Sequence, residues 1–327
     1  MPRPSKRHRE ELAGGSSPSG PARAGTRPRT PDNPRPTSST PARYRTQRVE
    51  VPRPWWQDPR AWGGAVTAVV VALVLVFIIL GTRPAAKGSA PTSADLVSAS
   101  VLSAVTGVSP TVSTSIGAGG VTDPLETISG TPADLTGAGG KPEIFYAGAE
   151  YCPYCAAERW SLVVALSRFG SFSNLHTTTS SSTDVYPNTN TFSFYGSTYT
   201  SAYVDFVPVE TEDRAGNALQ TPTADEQTLV STYDTSPYSA TAGGIPFQDY
   251  GNRYIVSGTG VSPQVLQGLS WTQIAATLTD ASSQVAQPII GNANWLTAGI
   301  CKLTGDQPGS VCSAAPVATL EGELGSS

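Results

Sequence analysis

The chain has 327 residues, of which 14% are charged, with 32 Gly, 28 Pro, four Cys and two His. Four Cys are too few for a disulfide-dense small scaffold, and His8 and His176 are too few for a multi-histidine metal site. The net charge of −4 conceals a division, because residues 1–60 carry 13 Lys/Arg against 5 Asp/Glu, whereas residues 88–327 carry 6 against 20. This asymmetry indicates a basic tail joined to an acidic domain.

The tail, residues 1–60, is rich in Pro, Arg, Ser and Thr and contains few aliphatic side chains. Such a segment buries too little apolar surface to offset its chain entropy, so we predict that it is disordered. It contains no folded reader motif, and no specific nucleic acid is expected as a partner. Contact with anionic lipid headgroups is the favoured role, and tethering to a nucleic acid or an envelope component is the alternative.

Residues 61–82 contain no charged side chain, and 69–80 (VVVALVLVFIIL) are apolar throughout. Twenty-two helical residues span about 33 Å, which is enough to cross the hydrocarbon core of a bilayer. Three tryptophans, which favour the membrane interface, lie at one end: Trp55, Trp56 and Trp62. The segment is therefore predicted to be a transmembrane helix in the lipid bilayer. A cleaved signal peptide is the alternative, although the long basic region before it is atypical.

Orientation follows from the positive charges on either side of this segment. Residues 41–60 contain five Arg, whereas the other side carries only Arg83 and Lys87. Positive residues favour the cytoplasmic side. We therefore expect a single-pass cell-membrane protein with a cytoplasmic N-terminus, a linker over 83–93, an extracytoplasmic domain over 94–315 and a flexible end over 316–327.

The first part of the domain is predicted to be a helix followed by loops. Apolar spacing predicts a helix over 95–108, with Ser93 as a possible cap. Two GAGG stretches follow, at 117–120 and 137–140. Neither leads from a strand into a helix, so both are predicted to be loops rather than phosphate-binding turns.

A strand, a C-x-x-C motif and a helix follow in that order. Residues 142–147 (PEIFYA) are β-prone, Cys152-Pro153-Tyr154-Cys155 comes next, and apolar spacing over 156–169 predicts a helix. Pro153 suits the first turn of that helix, where its missing N–H has no cost.

Residues 177–240 form a polar region that we interpret as an insertion. Residues 191–200 alternate around Gly196, a pattern that predicts a hairpin. The aromatic residues of this region are expected to pack in the hairpin, and a peptide-contact surface is the alternative: Phe192, Phe194, Tyr195, Tyr199 and Tyr203. A strand over 203–209 and a helix over 223–233 are predicted next. Residues 244–256 predict two short strands around a Gly-Asn turn, and further helices are expected over 271–278 and 285–303.

The two cysteines of C-P-Y-C are placed for thiol–disulfide exchange. Only a thiolate attacks a disulfide, and the N–H groups and dipole at a helix N-terminus stabilise a thiolate. Cys152 is predicted to be the exposed, attacking thiol, and Cys155, one turn later, to be the resolving thiol. Glu150 and Glu158 oppose thiolate formation, whereas Arg159 favours it.

The residues from the C-x-x-C motif to Ile245-Pro246, a hairpin and a final helix resemble the thioredoxin superfamily in kind and order. That resemblance implies that Ile245 and Pro246 correspond to the cis-proline position that contacts the substrate backbone. The stretches KPEIFYAGAEYCPYCAAERW, STDVYPNTNTFSFYG and GGIPFQDYGNRYIVSG look very like an actinobacterial family called domain of unknown function 929. The resemblance covers most of 95–315. It implies an α/β fold with a thioredoxin-like central sheet, flanking helices and a long insertion, and it implies no established substrate.

Cys301 and Cys312 flank the turn-rich segment KLTGDQPGSV. No helix start follows Cys301 as at an exchange centre, so we predict a structural disulfide that holds the C-terminal end to the last helix. A redox relay and a zinc site shared with Cys152 and Cys155 are the alternatives. His176, beside a Thr/Ser run, is expected in a surface loop.

These observations predict a membrane-anchored, extracytoplasmic thiol–disulfide oxidoreductase. Its partners would be protein thiols or disulfides outside the membrane, together with a redox protein in or near the membrane. No organic cofactor or metal is needed, since the two sulfur atoms carry the electrons. The alternative is a non-catalytic binding or scaffolding protein on a thioredoxin-like fold, in which the C-x-x-C motif is a permanent disulfide.

Overall fold

The computed structural model describes residues 95–325. The predicted tail 1–60, transmembrane helix 61–82 and linker 83–93 lie outside the described residues. Among the residues that are described, no helix is both long enough and apolar enough to cross a membrane.

A five-stranded mixed sheet is the centre of the domain. Its strands are β1 (Glu126–Thr127), β2 (Glu143–Gly148), β7 (Asp205–Glu210), β8 (Phe247–Tyr250) and β9 (Tyr254–Ser257). They lie in the order β1-β9-β8-β2-β7. β2 is parallel to β7 and antiparallel to β8, and β9 is antiparallel to both β8 and β1. The predicted hairpin over 244–256 is thus present, and its turn contains Asn252 with a positive φ of 55°.

Helices pack around this sheet and complete a mixed α/β fold, which confirms the predicted class at that level. They are α1 (Ala99–Thr106), α2 (Pro110–Ile116), α3 (Pro153–Leu166), α4 (Ala224–Tyr233), α5 (Trp271–Thr277), α6 (Ala286–Thr304), α7 (Gly309–Cys312) and α8 (Ala315–Glu321). Ser98 caps α1 by accepting a hydrogen bond from the Val101 N–H, so the helix begins later than predicted. Ser93, the predicted cap, lies outside the described residues. α2 begins at a Ser-Pro pair, a helix-start signal that sequence analysis did not use.

The alternation of β2 places its side chains on two different cores. Ile144 and Tyr146 enter the larger core, which includes residues of α3 and α6. Phe145 and Ala147 enter a smaller core with Phe247, against which residues of α4 pack. Side chains therefore cover both faces of β2. The C-x-x-C motif directly follows the C-terminal end of this buried strand, which fixes the position of the motif.

Two small antiparallel sheets lie outside the central one. β3 (Gly170–Ser173) pairs with β6 (Thr198–Ser201), and β4 (His176–Thr179) pairs with β5 (Asn190–Ser193). The predicted hairpin over 191–200 is therefore wrong, because β5 and β6 each pair with an earlier strand instead of with each other. The aromatic residues of this region do pack, as between Trp160 and Phe192, whose ring centroids are 4.4 Å apart.

The predicted insertion and C-terminal end also differ from the structure. β7 lies inside 177–240, yet it is the parallel neighbour of β2, so this part of the region belongs to the central sheet. In the end expected to be flexible, α8 buries Val317 and Leu320, and Glu321 forms an ion pair with Lys302 of α6 at 2.7 Å. Burial of these apolar side chains holds the segment to α6.

Candidate functional site

Cys152 and Cys155 lie at the start of α3, where the chain leaves β2. Cys152 is the N-cap residue, and its Sγ accepts a hydrogen bond from the Cys155 backbone N–H at 3.3 Å. Pro153 occupies the first turn, as predicted, since it lacks the N–H that this position leaves without a partner. Both cysteines are free thiols in the structure. The Cys152 sulfur thus replaces the oxygen that normally caps a helix.

The surroundings shift the pKa values of the two thiols in opposite directions. A hydrogen bond from the Cys155 side chain lowers the pKa of Cys152 most, and backbone N–H groups and the charge of Arg159 add to this against the effect of burial. Burial raises the pKa of Cys155 well above its ordinary value, and its contact with Cys152 adds to the rise. Cys152 is therefore the group that ionises first, and Cys155 is the group that keeps its proton.

The structure brings Ile245 and Pro246 to the cysteines from 93 residues along the chain. The Ile245–Pro246 peptide is cis, and the Ile245 carbonyl oxygen lies 3.7 Å from the Cys152 Sγ. This contact helps to explain why Cys152 is only 5% exposed, which corrects the expectation of an exposed attacking thiol.

Arg159 is fully buried one turn beyond Cys155 and is paired with Glu210 at the end of β7. Its Nε lies 2.8 Å from Glu210 Oε1, and its Nη2 lies 2.5 Å from Oε2 and 2.8 Å from the Ala149 carbonyl oxygen. Its guanidinium also lies over the Tyr146 ring, 5.9 Å from the centroid. Arg159 was predicted to favour the thiolate, whereas Glu210 was not predicted to lie near the site, because its only signal is a carboxylate directly after an apolar strand.

Glu158 directly precedes Arg159 in α3, and its hydrogen-bond partners are not the cysteines. Its carboxylate accepts hydrogen bonds from Gln248 Nε2 at 2.9 Å and from Asn292 Nδ2 at 2.8 Å. Burial raises the pKa of Glu158 to about 7. Glu150, the other carboxylate noted near the motif, accepts a hydrogen bond from Thr178 Oγ1 at 3.1 Å, and burial raises its pKa as well. Both groups are thus held by residues of neighbouring elements.

The other residues singled out in the sequence lie apart from this pair. Cys301, in α6, and Cys312, in α7, form a disulfide with their Cα atoms 5.6 Å apart. Their sulfur atoms are bonded to each other, which corrects the alternative of a four-cysteine zinc site. His176 lies in β4 and is only 7% exposed, so the expectation of a surface loop is wrong. Pairing of β4 with β5 explains its burial.

The chain is similar over residues 128–302 to the family described as a domain of unknown function, DUF929. This match covers more than half of the chain and includes both cysteines of the motif, Ile245 and Pro246. The protein therefore belongs to the DUF929 family. No curated protein and no solved structure matches the chain.

Proposed function

We propose that the domain is a thioredoxin-like thiol–disulfide oxidoreductase in which Cys152 attacks and Cys155 resolves. The observation that carries the proposal is the pair of free thiols at the start of α3, with a lowered pKa at Cys152 and a raised one at Cys155. This pattern suits exchange, because one sulfur must be a thiolate at neutral pH while the other stays protonated until it is needed.

The proposed reaction balances in sulfur atoms and electrons. The Cys152 thiolate attacks one sulfur of a substrate disulfide, forms a mixed disulfide and releases the first substrate thiolate. Cys155 then loses its proton, attacks the Cys152 sulfur and releases the second substrate thiolate. The substrate gains two electrons and the Cys152–Cys155 disulfide forms, and the reverse sequence oxidises a substrate dithiol.

The order of elements supports a thioredoxin-like fold. The motif lies between β2 and α3, β7 lies parallel to β2, the antiparallel hairpin β8–β9 follows Ile245-Pro246, and α6 comes after it. The sequence resemblance implied this order of strand, C-x-x-C, helix, Ile-Pro, hairpin and helix. The contact between Ile245 and Cys152 supports a role for Ile245 and Pro246 beside the bound substrate.

We further propose that the domain is extracytoplasmic and anchored through residues 61–82. The uncharged segment and the excess of Arg before it support this placement. The Cys301–Cys312 disulfide is also typical of an oxidising compartment. The expected partners are protein thiols or disulfides outside the membrane, with a membrane redox protein to restore the cysteine pair.

The test is to trap the mixed disulfide in the native envelope with the full chain. Cys155→Ser removes the resolving sulfur, so adducts through Cys152 should accumulate and should dissociate on reduction. Cys152→Ser is the matched control and should form none. If Cys155→Ser forms no adduct and dithiol reagents cannot cycle the purified wild-type pair, the proposal is wrong.

The 5% exposure of Cys152 favours one alternative, a binding or scaffolding protein whose C-x-x-C is a permanent disulfide that takes no part in exchange. Alkylation after mild reduction separates the two. A Cys152 that remains unmodified in the folded protein would select the alternative, whereas rapid modification of Cys152 alone would select the oxidoreductase.

A further inference from the structure

The loop between β4 and β5, residues 180–189, lies directly beside the C-P-Y-C motif. The Ser181 backbone N–H donates to the Tyr151 carbonyl oxygen at 2.8 Å. The Tyr186 and Tyr154 rings meet edge to face with centroids 6.1 Å apart. Tyr151 directly precedes Cys152 and Tyr154 lies inside the motif, so this loop contacts the chain on both sides of the attacking sulfur.

The loop is stabilised by hydrogen bonds within it and by hydrogen bonds from Arg214. Ser180 Oγ donates to the Tyr186 carbonyl at 2.9 Å, and the Thr189 N–H donates to Ser180 Oγ at 2.9 Å. Arg214 Nη2 donates to the Asn188 side-chain oxygen at 2.9 Å and to the Ser180 carbonyl at 3.4 Å. A loop fixed in this way loses little entropy when it binds a partner.

Apolar side chains point outward from this region. Val185 is 65% exposed and Tyr154 is 43% exposed, and they are two of the three large hydrophobic residues exposed within 95–325. The third, Leu96, is 41% exposed and lies outside this loop and the motif. Exposed apolar surface next to a reactive group marks a place where a partner's apolar side chain can be buried.

An open cavity of about 490 Å³ adjoins Val185 and Tyr151. Asp184 and Glu212 line it, and so does Arg214, whose Nη2 already bonds to the loop. The cavity therefore offers carboxylates to a ligand, in a domain whose residues 88–327 carry 20 Asp/Glu against 6 Lys/Arg. A cationic side chain complements this charge better than an anionic one.

We propose that the 180–189 loop is the substrate-recognition wall of the exchange centre. Its occupant is an extended protein segment with an apolar and a cationic side chain close to the cysteine that reacts with Cys152. The inference rests on the proposed function, since the reacting sulfur brings this segment to the loop. The apolar side chain packs on Val185 and Tyr154, and the cationic one enters the cavity beside Asp184 and Glu212.

The experiment measures exchange of the full chain in detergent with two synthetic peptides. One carries Lys and Leu beside a cysteine held as a mixed disulfide with a chromogenic thiol, and the other carries Glu and Ser in their place. The wild type should react at least about tenfold faster with the first peptide, a difference of about 1.4 kcal/mol. Val185→Ser and Glu212→Gln should each lower this preference, because the first removes apolar surface and the second removes a carboxylate charge from the cavity. Leu96→Ser is the matched control and should preserve it.

Exchange with glutathione disulfide tests the proposed function separately. A wild-type chain that reacts with glutathione disulfide but shows no preference between the peptides overturns the recognition wall and leaves the oxidoreductase intact. Retention of the full preference in both Val185→Ser and Glu212→Gln overturns it as well. A wild-type chain that reacts with none of the three reagents overturns both proposals.

Discussion

Arg159 and Glu210 form a two-bond ion pair in which neither side chain has any exposure to solvent. The pair joins α3, which begins at the cysteines, to β7, the strand beside β2. It places a positive charge near the thiols. That charge lowers the pKa of Cys152 and partly offsets the rise that burial causes in the pKa of Cys155. A buried pair of this kind is costly to break, because the remaining partner is an uncompensated charge.

Substitutions of the two partners should therefore shift the pKa of Cys152 in opposite directions. Arg159→Met removes the positive charge and should raise the pKa of Cys152. Glu210→Gln leaves Arg159 without its counter-charge and should lower that pKa. Each variant should also lose about 3–5 kcal/mol of unfolding free energy. The measurement is the ultraviolet absorbance of the thiolate against pH, together with denaturant unfolding.

Arg168→Met provides the matched control for this pair of variants. Arg168 follows α3 and donates to Thr297 Oγ1 at 2.7 Å and to Asn294 Oδ1 at 2.8 Å, and it forms no ion pair within residues 95–325. Its replacement should destabilise the fold without moving the pKa of Cys152. Shifts of equal sign in Arg159→Met and Glu210→Gln would contradict an electrostatic role.

The two cysteines should differ sharply in reaction with an alkylating agent. In Cys155→Ser, the serine hydroxyl can replace the hydrogen bond to the Cys152 sulfur, so Cys152 should remain reactive at pH values below the ordinary thiol range. In Cys152→Ser, the remaining Cys155 is fully buried and its pKa is raised, so its reaction should be more than about tenfold slower. Mass spectrometry after timed alkylation measures both rates. Equal rates would contradict the assignment of attacking and resolving roles.

Signals between near neighbours predicted much of the fold. Pro153 after a capping residue located the start of α3, and the Gly-Asn turn located the hairpin β8–β9. A left-handed Gly305 ends α6, close to where the helical pattern stops. Each of these depends on residues a few positions apart, and local chemistry decides such positions.

Features that depend on distant residues were not predictable in this way. The sequence of β5 is equally compatible with pairing to β6 or to β4, and packing of Phe192 on Trp160 accompanies the second choice. The burial of Cys152 depends on Ile245, and the partner of Arg159 lies 51 residues away. No spacing rule connects such residues, so Glu210 and the position of the 180–189 loop emerge only from the fold.

Glu158→Gln should make the protein more stable at neutral and higher pH. Burial raises the pKa of Glu158 from 4.5 to about 7, so between these values the folded chain holds a proton that the unfolded chain has lost. The unfolding free energy should therefore fall as pH rises from 4.5 to 7, by about 3 kcal/mol for this group. Glutamine avoids the buried charge. Rotation of the Asn292 side-chain amide, whose Nδ2 now donates to Glu158, would let its Oδ1, which has no partner within the described residues, accept from the new amide.

The measurement for this variant is the difference in unfolding free energy from the wild type at several pH values. The difference should be near zero at pH 4 and largest above pH 7. The raised pKa of Asp249 is present in both proteins and cancels. Glu126→Gln replaces an exposed carboxylate and serves as the control. A difference that does not change with pH would contradict the burial of a titrating Glu158.

Replacement of both Cys301 and Cys312 by Ser should lower stability without slowing exchange. The disulfide closes a segment with a sequence separation of 11, and the chain-entropy model gives roughly 3 kcal/mol for a loop of this size. The variant should lose about that much unfolding free energy, and a reductant should destabilise the wild type but not the variant. The Cys152→Ser/Cys155→Ser double variant is the control, because it retains the Cys301–Cys312 disulfide and should respond to reductant as the wild type does. The exchange rate with glutathione disulfide distinguishes a structural disulfide from a relay. If the Cys301–Cys312 pair is a relay, that rate should fall when both cysteines are removed. If the disulfide is structural, the rate should be unchanged as long as the domain stays folded.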